Sequence, residues 1–558
     1  MNATLPRELR SPAGWPAVRR TMLLSIAILC WLAAGGVNPA PAATTNYTSP
    51  YAGGTIAAGD AVVLDDGATI TGPITANGRL QFNQTSGTLT MSSALTGSGT
   101  LSLTNAGTLM LTGTTVSVGI GLDMTTTVDS GRLLIGNNGG RTLYLGNTNG
   151  GVGTLSINGG YVGNGSSYLG YGAGGQASVT VSSGTWSNGS FTYVGWDGSA
   201  TLDVTGGSVS GVTASIGRNV GSVGSVTVSG GSMSYSSNLT VADSGTGSLT
   251  IGNGGLVVVR GNVVRGASGT INLNAGGTLQ IGTGTTTGVL LGGTGSLTSN
   301  GTVVFNRSNA STYTGVLSGS GAVTKLGAGQ LTLGGANSYT GLTTIAGGTI
   351  ALSGAGSIGT GGLTLSSGGS FDLSSLTSGT YELPATGNLA GIGTLSGSGH
   401  ALAVLGSFLP GSSTGTVTVG SGFTLDLSNA LSSTFEITSP LYSAGSYDLV
   451  NGPGRVLVGG LLNLNFSGGV YADGVDVLQL IAAGDSIGGS FSAVNFTGLS
   501  ATQAATFNPE SGFVSIISVP EPASSLLAAI GLAAATMIQR SRRANPLFPA
   551  LRSGHRLP

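Results

Sequence analysis

The chain has little cysteine, histidine and charge, and each scarcity excludes a class of function. Cys30 is the only cysteine among 558 residues, and it lies in a predicted leader. The mature protein therefore has no disulfide, no thiolate metal site and no cysteine nucleophile. Residues 44–518 contain nine basic and 17 acidic side chains, a net charge of −8. This negative charge argues against nucleic acid or anionic lipid as a binding partner of residues 44–518, which we call the body of the protein.

Histidine is almost as rare as cysteine. The sequence has two histidines, and His400 is the one that remains once the predicted leader and tail are set aside. A histidine-based triad or metal centre needs several such side chains in one place. We therefore expect no bound metal and no cofactor.

The residues that are abundant predict an all-β protein. Glycine accounts for 104 residues and hydrophobic residues for 39%, while charged residues make up 7%. Glycine, serine, threonine and valine dominate the body, and strong helix formers are scarce outside the two termini. This composition favours short strands joined by tight turns.

Two sets of markers recur with the same period of 23 to 24 residues. An alternating apolar triplet starts at Leu155, Val179, Leu202, Val226 and Leu249. A second series, mostly an aliphatic residue before glycine, has its aliphatic members at Leu145, Leu169, Val194, Ile216, Val241 and Val264. Such a repeat predicts one coil of a parallel β-solenoid per unit, with the first and third residues of each triplet inside. We expect corners with positive φ at Gly159–Gly160, Gly206–Gly207, Gly230–Gly231 and Gly254–Gly255.

The N-terminus has the pattern of a secretory signal peptide. Arginines precede an apolar helical segment from Met22 to Ala34, and small residues follow it. Cleavage is predicted at the A-x-A-like site formed by Ala40, Ala42 and Ala43. Arg19–Arg20 permits a twin-arginine interpretation, but the general secretion machinery fits the sequence better.

The C-terminal tail consists of a proline-containing segment that interrupts regular secondary structure, then an apolar run, then a basic cluster. Val519–Pro522 reads V-P-E-P, and the 16 residues of 523–538 are uncharged. Arg540, Arg542 and Arg543 follow this run. The run predicts a helix roughly 24 Å long, a little short of a bilayer core of about 30 Å. The arginines would stay on the cytoplasmic side, which places the preceding chain outside.

This tail resembles the sorting signal of PEP-CTERM proteins, the bacterial substrates of exosortases. The resemblance covers residues 519–543 and implies that Pro520, Glu521 and Pro522 are recognised by an exosortase-type enzyme. That enzyme would process the tail while the remainder is exported. Family members usually stop at the basic cluster, whereas this chain continues through residues 544–558. A simple C-terminal membrane anchor is the alternative.

A second resemblance covers the middle of the chain. Residues 313–352 contain K-L-G-A-G-Q-L-T-L followed by N-S-Y-T-G and G-G-T-I, and they resemble the autotransporter-associated β-strand repeat. Residues 145–265 also resemble repeats of autotransporter passengers and PEP-CTERM proteins. Such passengers are surface β-helices, so the resemblance implies the same fold here. A sorting tail stands where an autotransporter would have its translocator barrel.

These features divide the chain into five segments. We predict a signal peptide at 1–43, a repeat β-solenoid at 44–360 and a distal solenoid or β-rich cap at 361–518. The sorting tail covers 519–543, and an extra basic tail covers 544–558. The predicted fold is an all-β, parallel β-solenoid with an N-terminal signal helix and a short C-terminal hydrophobic helix.

Enzyme motifs are present but lack their structural context. Residues 411–415 fit a serine-hydrolase elbow and residues 354–359 a dinucleotide pattern, yet neither offers a strand that enters a helix. A β-helix polysaccharide-degrading enzyme would need clustered carboxylates. The nearest candidates are Asp65–Asp66 and Asp473 with Asp476, which we interpret as turns, with a bound cation as an alternative. We predict no enzymatic activity.

Glycan binding is the alternative to a purely structural role. Trp186 and Trp196 are the two tryptophans of the predicted mature chain, and several tyrosines, including Tyr193, lie in the same coils. On one face they would offer flat surfaces to sugar rings. We therefore predict an exported surface or extracellular-matrix solenoid with a structural or adhesive role and exopolysaccharide as a candidate partner. The membrane is involved only through the C-terminal helix before processing.

Overall fold

The computed structural model describes residues 43–519, apart from 114–118, 137–138, 292–294, 412, 444 and 468. The longest of its sheets is a parallel ladder of 18 strands, here called the long ladder, in which each strand pairs with those one turn earlier and later. At about 4.8 Å per turn the long ladder extends over roughly 80 Å. Its strands are Thr88–Met91, Thr108–Leu111, Arg132–Ile135, Tyr161–Asn164, Thr185–Asn188, Ser208–Gly211, Ser232–Tyr235, Leu256–Val259, Thr278–Thr285, Thr302–Arg307, Ala322–Lys325, Thr343–Ile345, Gly362–Leu365, Asn388–Gly391, Ser407–Pro410, Ser432–Ile437, Leu461–Phe466 and Ala493–Thr497.

Two further ladders complete the triangular turns of the first half. The second ladder has 11 strands: Thr44–Tyr47, Ala61–Leu64, Arg79–Phe82, Thr100–Leu103, Thr125–Val128, Val152–Ile157, Gln176–Val181, Ser199–Val204, Val223–Val228, Thr246–Ile251 and Gly269–Leu273. The third ladder has seven: Gly119–Gly121, Thr142–Leu145, Ser167–Leu169, Phe191–Val194, Thr213–Ile216, Leu239–Val241 and Val263–Arg265. The earliest turns have small parallel sheets instead: Gly54–Ile56, Ile74–Ala76 and Leu95–Thr96, with Pro50–Tyr51 pairing Thr69–Ile70.

In the second half of the solenoid, other ladders replace the second and third ladders. Leu297–Thr298 and Leu317–Ser318 form a short pair at the transition. The fourth ladder contains Ser311–Tyr313, Gln330–Leu333, Gly348–Gly354, Gly369–Leu376, Gly393–Ser396, Thr416–Val419, Leu449–Gly452 and Ile481–Ala483. The fifth contains Thr380–Leu383, Ala401–Val404, Thr424–Leu427, Arg455–Val458 and Ser486–Gly489. The described chain closes with an antiparallel sheet of Gly474–Gln479, Gln503–Asn508 and Phe513–Ser518.

The predicted parallel β-solenoid is confirmed, and its core is made of stacked apolar columns. The first and third residues of the predicted triplets pair in register from turn to turn and are buried. Leu202, for example, is fully buried between Val179 and Val226. The alternate residues point outward because strand side chains change face at every position. Burial of each such aliphatic side chain stabilises the fold by about 1.5–3 kcal/mol.

The second predicted series is correct except for its last member. Leu145, Leu169, Val194, Ile216 and Val241 occupy one register position of the third ladder. The next turn pairs Val241 with Arg265, whereas we expected Val264 there. Val263 takes the buried position beside Leu239, so the register differs by one residue and Val264 is exposed. The third ladder ends at this strand.

The predicted glycine corners are only partly correct about backbone conformation. Among the four glycine pairs, positive φ occurs only at Gly230 (147°) and Gly254 (82°). The remaining glycines are required by close packing between turns. A Cβ on Gly160, for example, would lie 2.6 Å from Val128 Cγ1 and 2.7 Å from the Gly131 carbonyl oxygen. These corners therefore accept only glycine, because the neighbouring turn leaves no room for a side chain.

The described residues contain no α-helix, and none of their elements is a helix long and apolar enough to span a membrane. The two predicted terminal helices lie outside the described residues. Beyond residue 361 the parallel ladders continue to Ala493–Thr497, and the antiparallel sheet is added beside them.

Candidate functional site

Three tyrosines form a row on the outer face of the third ladder. Tyr144, Tyr168 and Tyr193 share one register position on three successive turns. Their ring centroids are 5.2 Å and 4.8 Å apart, close to the spacing of the turns themselves. We call these three residues the axial row, because it runs parallel to the solenoid axis.

A second row lies at the corner that leads from the third to the second ladder. Tyr171 and Trp196 each follow a paired ladder residue by two positions, and their rings stack at 6.5 Å. Trp196 packs edge-on against Tyr168 at 4.7 Å and Tyr193 at 4.6 Å. We call Tyr171 and Trp196 the corner row and both rows together the aromatic patch. Phe191 extends it, stacked on Tyr193 at 5.5 Å and 40% exposed.

A cation and an anion continue the corner row on the next two turns. The Arg218 guanidinium carbon lies 5.9 Å from the ring centroids of both Tyr193 and Trp196. Asp243, one turn further, forms an ion pair with Arg218. Asp243 therefore holds the guanidinium against the rings, an arrangement that adds cation–π attraction to the packing.

The tyrosine hydroxyls of the axial row remain protonated at neutral pH. Burial among the neighbouring rings raises the pKa of Tyr144, Tyr168 and Tyr193 above the ordinary value, with burial as the largest cause in each. A protonated phenol both donates and accepts hydrogen bonds. The patch thus combines flat apolar ring faces with neutral polar groups.

The predicted glycan-binding residues separate into two groups. Tyr193 and Trp196 are half-buried members of the aromatic patch. Trp186 is fully buried, so the expectation that it faces outward is wrong. Its strand position pairs with Val162 and Val209, which are core residues. The Trp186 indole N–H donates to Asn164 Oδ1 at 2.8 Å inside the core.

The first pair of candidate carboxylates, Asp65 and Asp66, forms hydrogen bonds with neighbouring turns of the solenoid. Asp65 accepts hydrogen bonds from the side-chain amides of Asn46 (3.0 Å) and Asn83 (2.7 Å). Asp66 accepts from the Thr85 hydroxyl and backbone N–H, and the hydroxyl bond is the main reason why its pKa lies below the ordinary value. Asp66 lies in a tight turn directly after Asp65, in agreement with the interpretation of this pair, and both side chains bond to neighbouring coils of the solenoid.

The second pair lies at the other end of the described solenoid. Asp473 accepts from the Ser518 hydroxyl and from the Gln503 amide at 2.8 Å, and these bonds lower its pKa, Ser518 having the larger effect. The turn interpretation is wrong here, because Asp473 directly precedes the strand Gly474–Gln479 and Asp476 lies within that strand at a register shift. Asp476 has a positive φ of 52°, and its backbone N–H donates to the Ser515 hydroxyl. Within the described ranges no group of three or more His, Cys, Asp and Glu residues is arranged to hold a metal ion.

The remaining motifs belong to turns or strands. His400 places both ring nitrogens about 3 Å from carbonyl oxygens, those of Ser398 and Leu376. Residues 354–359 follow the strand Gly348–Gly354, and no helix follows them. In the elbow motif the serine at the nucleophile position, Ser413, is exposed in a bend, and the strand Thr416–Val419 follows it rather than a helix.

Most of the predicted processing residues also lie outside the described part of the chain. These are Ala40, Ala42, Pro520, Glu521, Pro522, Arg540, Arg542 and Arg543. Ala43 is described as an exposed residue immediately before the first strand, Thr44–Tyr47.

Sequence reasoning missed four side chains of the site: Tyr144, Phe191, Arg218 and Asp243. The signal was present in the 23 to 24 residue period, because Arg218 and Asp243 follow Ile216 and Val241 by the same two positions as Tyr171 and Trp196 follow Leu169 and Val194. Aligning the turns would have placed Tyr171, Trp196, Arg218 and Asp243 in one corner column.

Comparison with known proteins gives one family match. Residues 323–352 match the model of the passenger-associated-transport-repeat family, within the region whose resemblance the sequence indicated. These residues form strands of the long and fourth ladders, so the repeat is one part of the continuous solenoid. No curated protein matches the chain, and no solved structure matches it either. The repeat and the fold fit an autotransporter-like extracellular β-helix.

Proposed function

We propose that this chain is an exported surface or matrix scaffold with a structural and adhesive role. The observation that carries the proposal is the passenger repeat embedded in an unbroken parallel ladder of 18 strands. Its body relies on backbone pairing and apolar columns rather than on disulfides, and it is acidic overall. An elongated rod repeats similar surfaces along its length, which suits weak contacts made many times.

Export and anchoring are assigned to the two ends of the sequence. In this proposal the general secretion machinery removes the leader at the Ala40–Ala43 site. An exosortase-type enzyme then recognises Pro520, Glu521 and Pro522, and the mature solenoid leaves the membrane. The support for this step is the order of the V-P-E-P motif, the uncharged run and the arginines.

The scaffold is proposed to be non-enzymatic. What supports this is the hydrogen bonding of the candidate carboxylates. Asp65 bonds to neighbouring turns at one end of the described solenoid, whereas Asp473 bonds to the closing antiparallel sheet at the other. General acid and base catalysis requires two such groups on either side of one bond. Incubating the purified protein with acidic and neutral polysaccharides should give no shortening of the chains by size-exclusion chromatography.

Surface location is tested by adding protease to intact cells of the producing organism. We expect the solenoid to be degraded or released while a cytoplasmic marker survives. In a Glu521→Ala variant the protein should stay with the membrane fraction, whereas Glu510→Ala, an acidic change before the motif, should leave its distribution unchanged. Protection of the wild-type protein until the cells are lysed would contradict the proposal.

A further inference from the structure

We propose that the aromatic patch binds an uncharged polysaccharide whose chain lies along the solenoid axis. This inference rests on the proposed surface location, since only an exported protein meets such polymers outside the cell. It assigns a ligand class to the axial and corner rows and a direction to the bound chain.

The direction follows from the geometry of the rows. The axial row places one ring on each of three successive turns, with centroids 5.2 Å and 4.8 Å apart. Tyr144 is 6% exposed because Tyr171 covers its ring at 4.5 Å, so Tyr168 and Tyr193 are the rings of this row that a ligand reaches. The corner row runs beside it over two turns. The C–H groups of a sugar ring pack favourably on the electron-rich face of an aromatic ring. An extended glycan along the axis therefore contacts several rings at once, while a single sugar contacts only one or two.

The preference for a neutral polymer follows from the charges around the patch. Arg218, the cation that touches the rings, is already paired with Asp243. Asp197, next to Trp196, is exposed and accepts a hydrogen bond from the Asn219 amide at 2.7 Å. The body as a whole carries a net charge of −8. A polyuronate or sulfated chain would be repelled by this field, whereas an uncharged chain would not.

Neutral hydrogen-bonding groups border the patch. The chain passes from the corner row into the second ladder, where one outward position is serine or threonine on eight successive turns. These residues are Thr100, Thr125, Thr154, Ser178, Thr201, Ser225, Ser248 and Thr270. Hydroxyls both donate and accept, as sugar hydroxyls do. They can extend the contact made by the rings without adding charge.

Binding is measured on protein secreted from cells that express the full-length chain. Affinity electrophoresis through gels containing hydroxyethyl cellulose, galactomannan or a soluble β-glucan should retard the wild-type protein for at least one polymer. Alginate and the constituent monosaccharides should have no effect. Trp196→Ala or Tyr168→Ala should weaken the binding about tenfold or more, since aromatic anchors dominate such contacts.

Tyr161→Ala is the matched control. Tyr161 is a half-buried aromatic residue on the same solenoid turn as Tyr168, but it lies on the long ladder, outside the patch. The Arg132 guanidinium covers its ring at 4.9 Å. Its variant should bind within about twofold of wild type. Thermal unfolding followed by circular dichroism checks that each variant is folded.

A second readout does not depend on patch substitutions. In a Trp186→Phe background, Trp196 is the remaining tryptophan of the predicted mature chain, so its fluorescence reports on the patch directly. The neutral polymer that retards the protein should change this emission saturably.

Three results would overturn the inference. These are no binding to any neutral polymer, stronger binding to alginate than to the neutral polymers, or a sedimentation experiment in which the patch holds a second copy of the chain. Protein that stays inside the cells is purified from lysates and run in the same gels, so failure of binding is distinguishable from failure of the proposed export.

Discussion

At the scale of single residues, the repeat places some side chains where their chemistry does not fit the position. The corner residue after each buried aliphatic of the third ladder has positive φ: 60° at Gly146, 62° at Gly170, 77° at Gly195 and 69° at Gly217. The next turn has Ala242 there, also at 60°. Alanine in this conformation is strained, because its Cβ crowds the following carbonyl.

Replacing Ala242 by glycine should therefore stabilise the protein. Relief of a left-handed conformation is worth roughly 1–2 kcal/mol, part of which is offset by the greater freedom of glycine when unfolded. We expect a net gain of about 0.5–1 kcal/mol in the free energy of unfolding, measured by urea denaturation. Ala214→Gly, at a buried strand position without positive φ, should lower it by about 1 kcal/mol. A lower free energy of unfolding for both variants would contradict the proposed strain at Ala242.

Lys325 is the second misfit, and it makes stability depend on pH. It is 1% exposed, occupies an apolar register position between Phe305 and Ile345, and donates to the carbonyl oxygens of Gly327 and Gly347. Burial lowers its pKa to about 8 from 10.5. Between these values the unfolded chain binds the proton and the folded chain does not, so this residue makes stability rise with pH.

The Lys325→Met variant should lose that pH dependence. We expect the melting temperature of the wild type to increase relative to that of the variant between pH 7.5 and 9.5. Scanning calorimetry at several pH values measures the difference. Arg260→Met, at an exposed position of the same solenoid, is the control and should follow the wild-type profile. Parallel profiles for wild type and Lys325→Met would show that the ammonium is not desolvated.

At the scale of elements, the alternating triplets predicted the strands and their buried faces well. They succeeded because a period of two fixes the face of every residue once the register is known. The same rule explains the failures. Val264 was misplaced because an apolar neighbour, Val263, fits the buried column equally well. Trp186 was placed outside because its strand was judged by residue type, although its alignment with Val162 and Val209 indicated the core.

The stacked columns should make each turn depend on its neighbours. Leu202→Ala removes a fully buried side chain between two valines, so we expect a loss of about 2–5 kcal/mol in the free energy of unfolding. Thr201→Ala on the outer face of the same strand should change it by no more than about 0.5 kcal/mol. Urea denaturation followed by circular dichroism compares the two. Equal changes in the free energy of unfolding for the two variants would contradict the assignment of Leu202 to the buried face and Thr201 to the outer face.

At the scale of the whole molecule, the sequence predicted the solenoid, and the repeat match supports its passenger-like character. The aromatic patch could be predicted only in part. Its members are separated by about one turn in sequence, and they converge because parallel stacking brings equivalent positions together. The transition after Gly269–Leu273, where the second ladder ends, had no such periodic signal.

Export of a solenoid that has lost both ends is tested by the intact mass of the protein recovered outside the cells. We predict a chain that begins near Thr44 and lacks residues 523–558. A full-length tail on the exported protein would leave only the membrane-anchor alternative. A chain found solely inside the cells would contradict the proposed export.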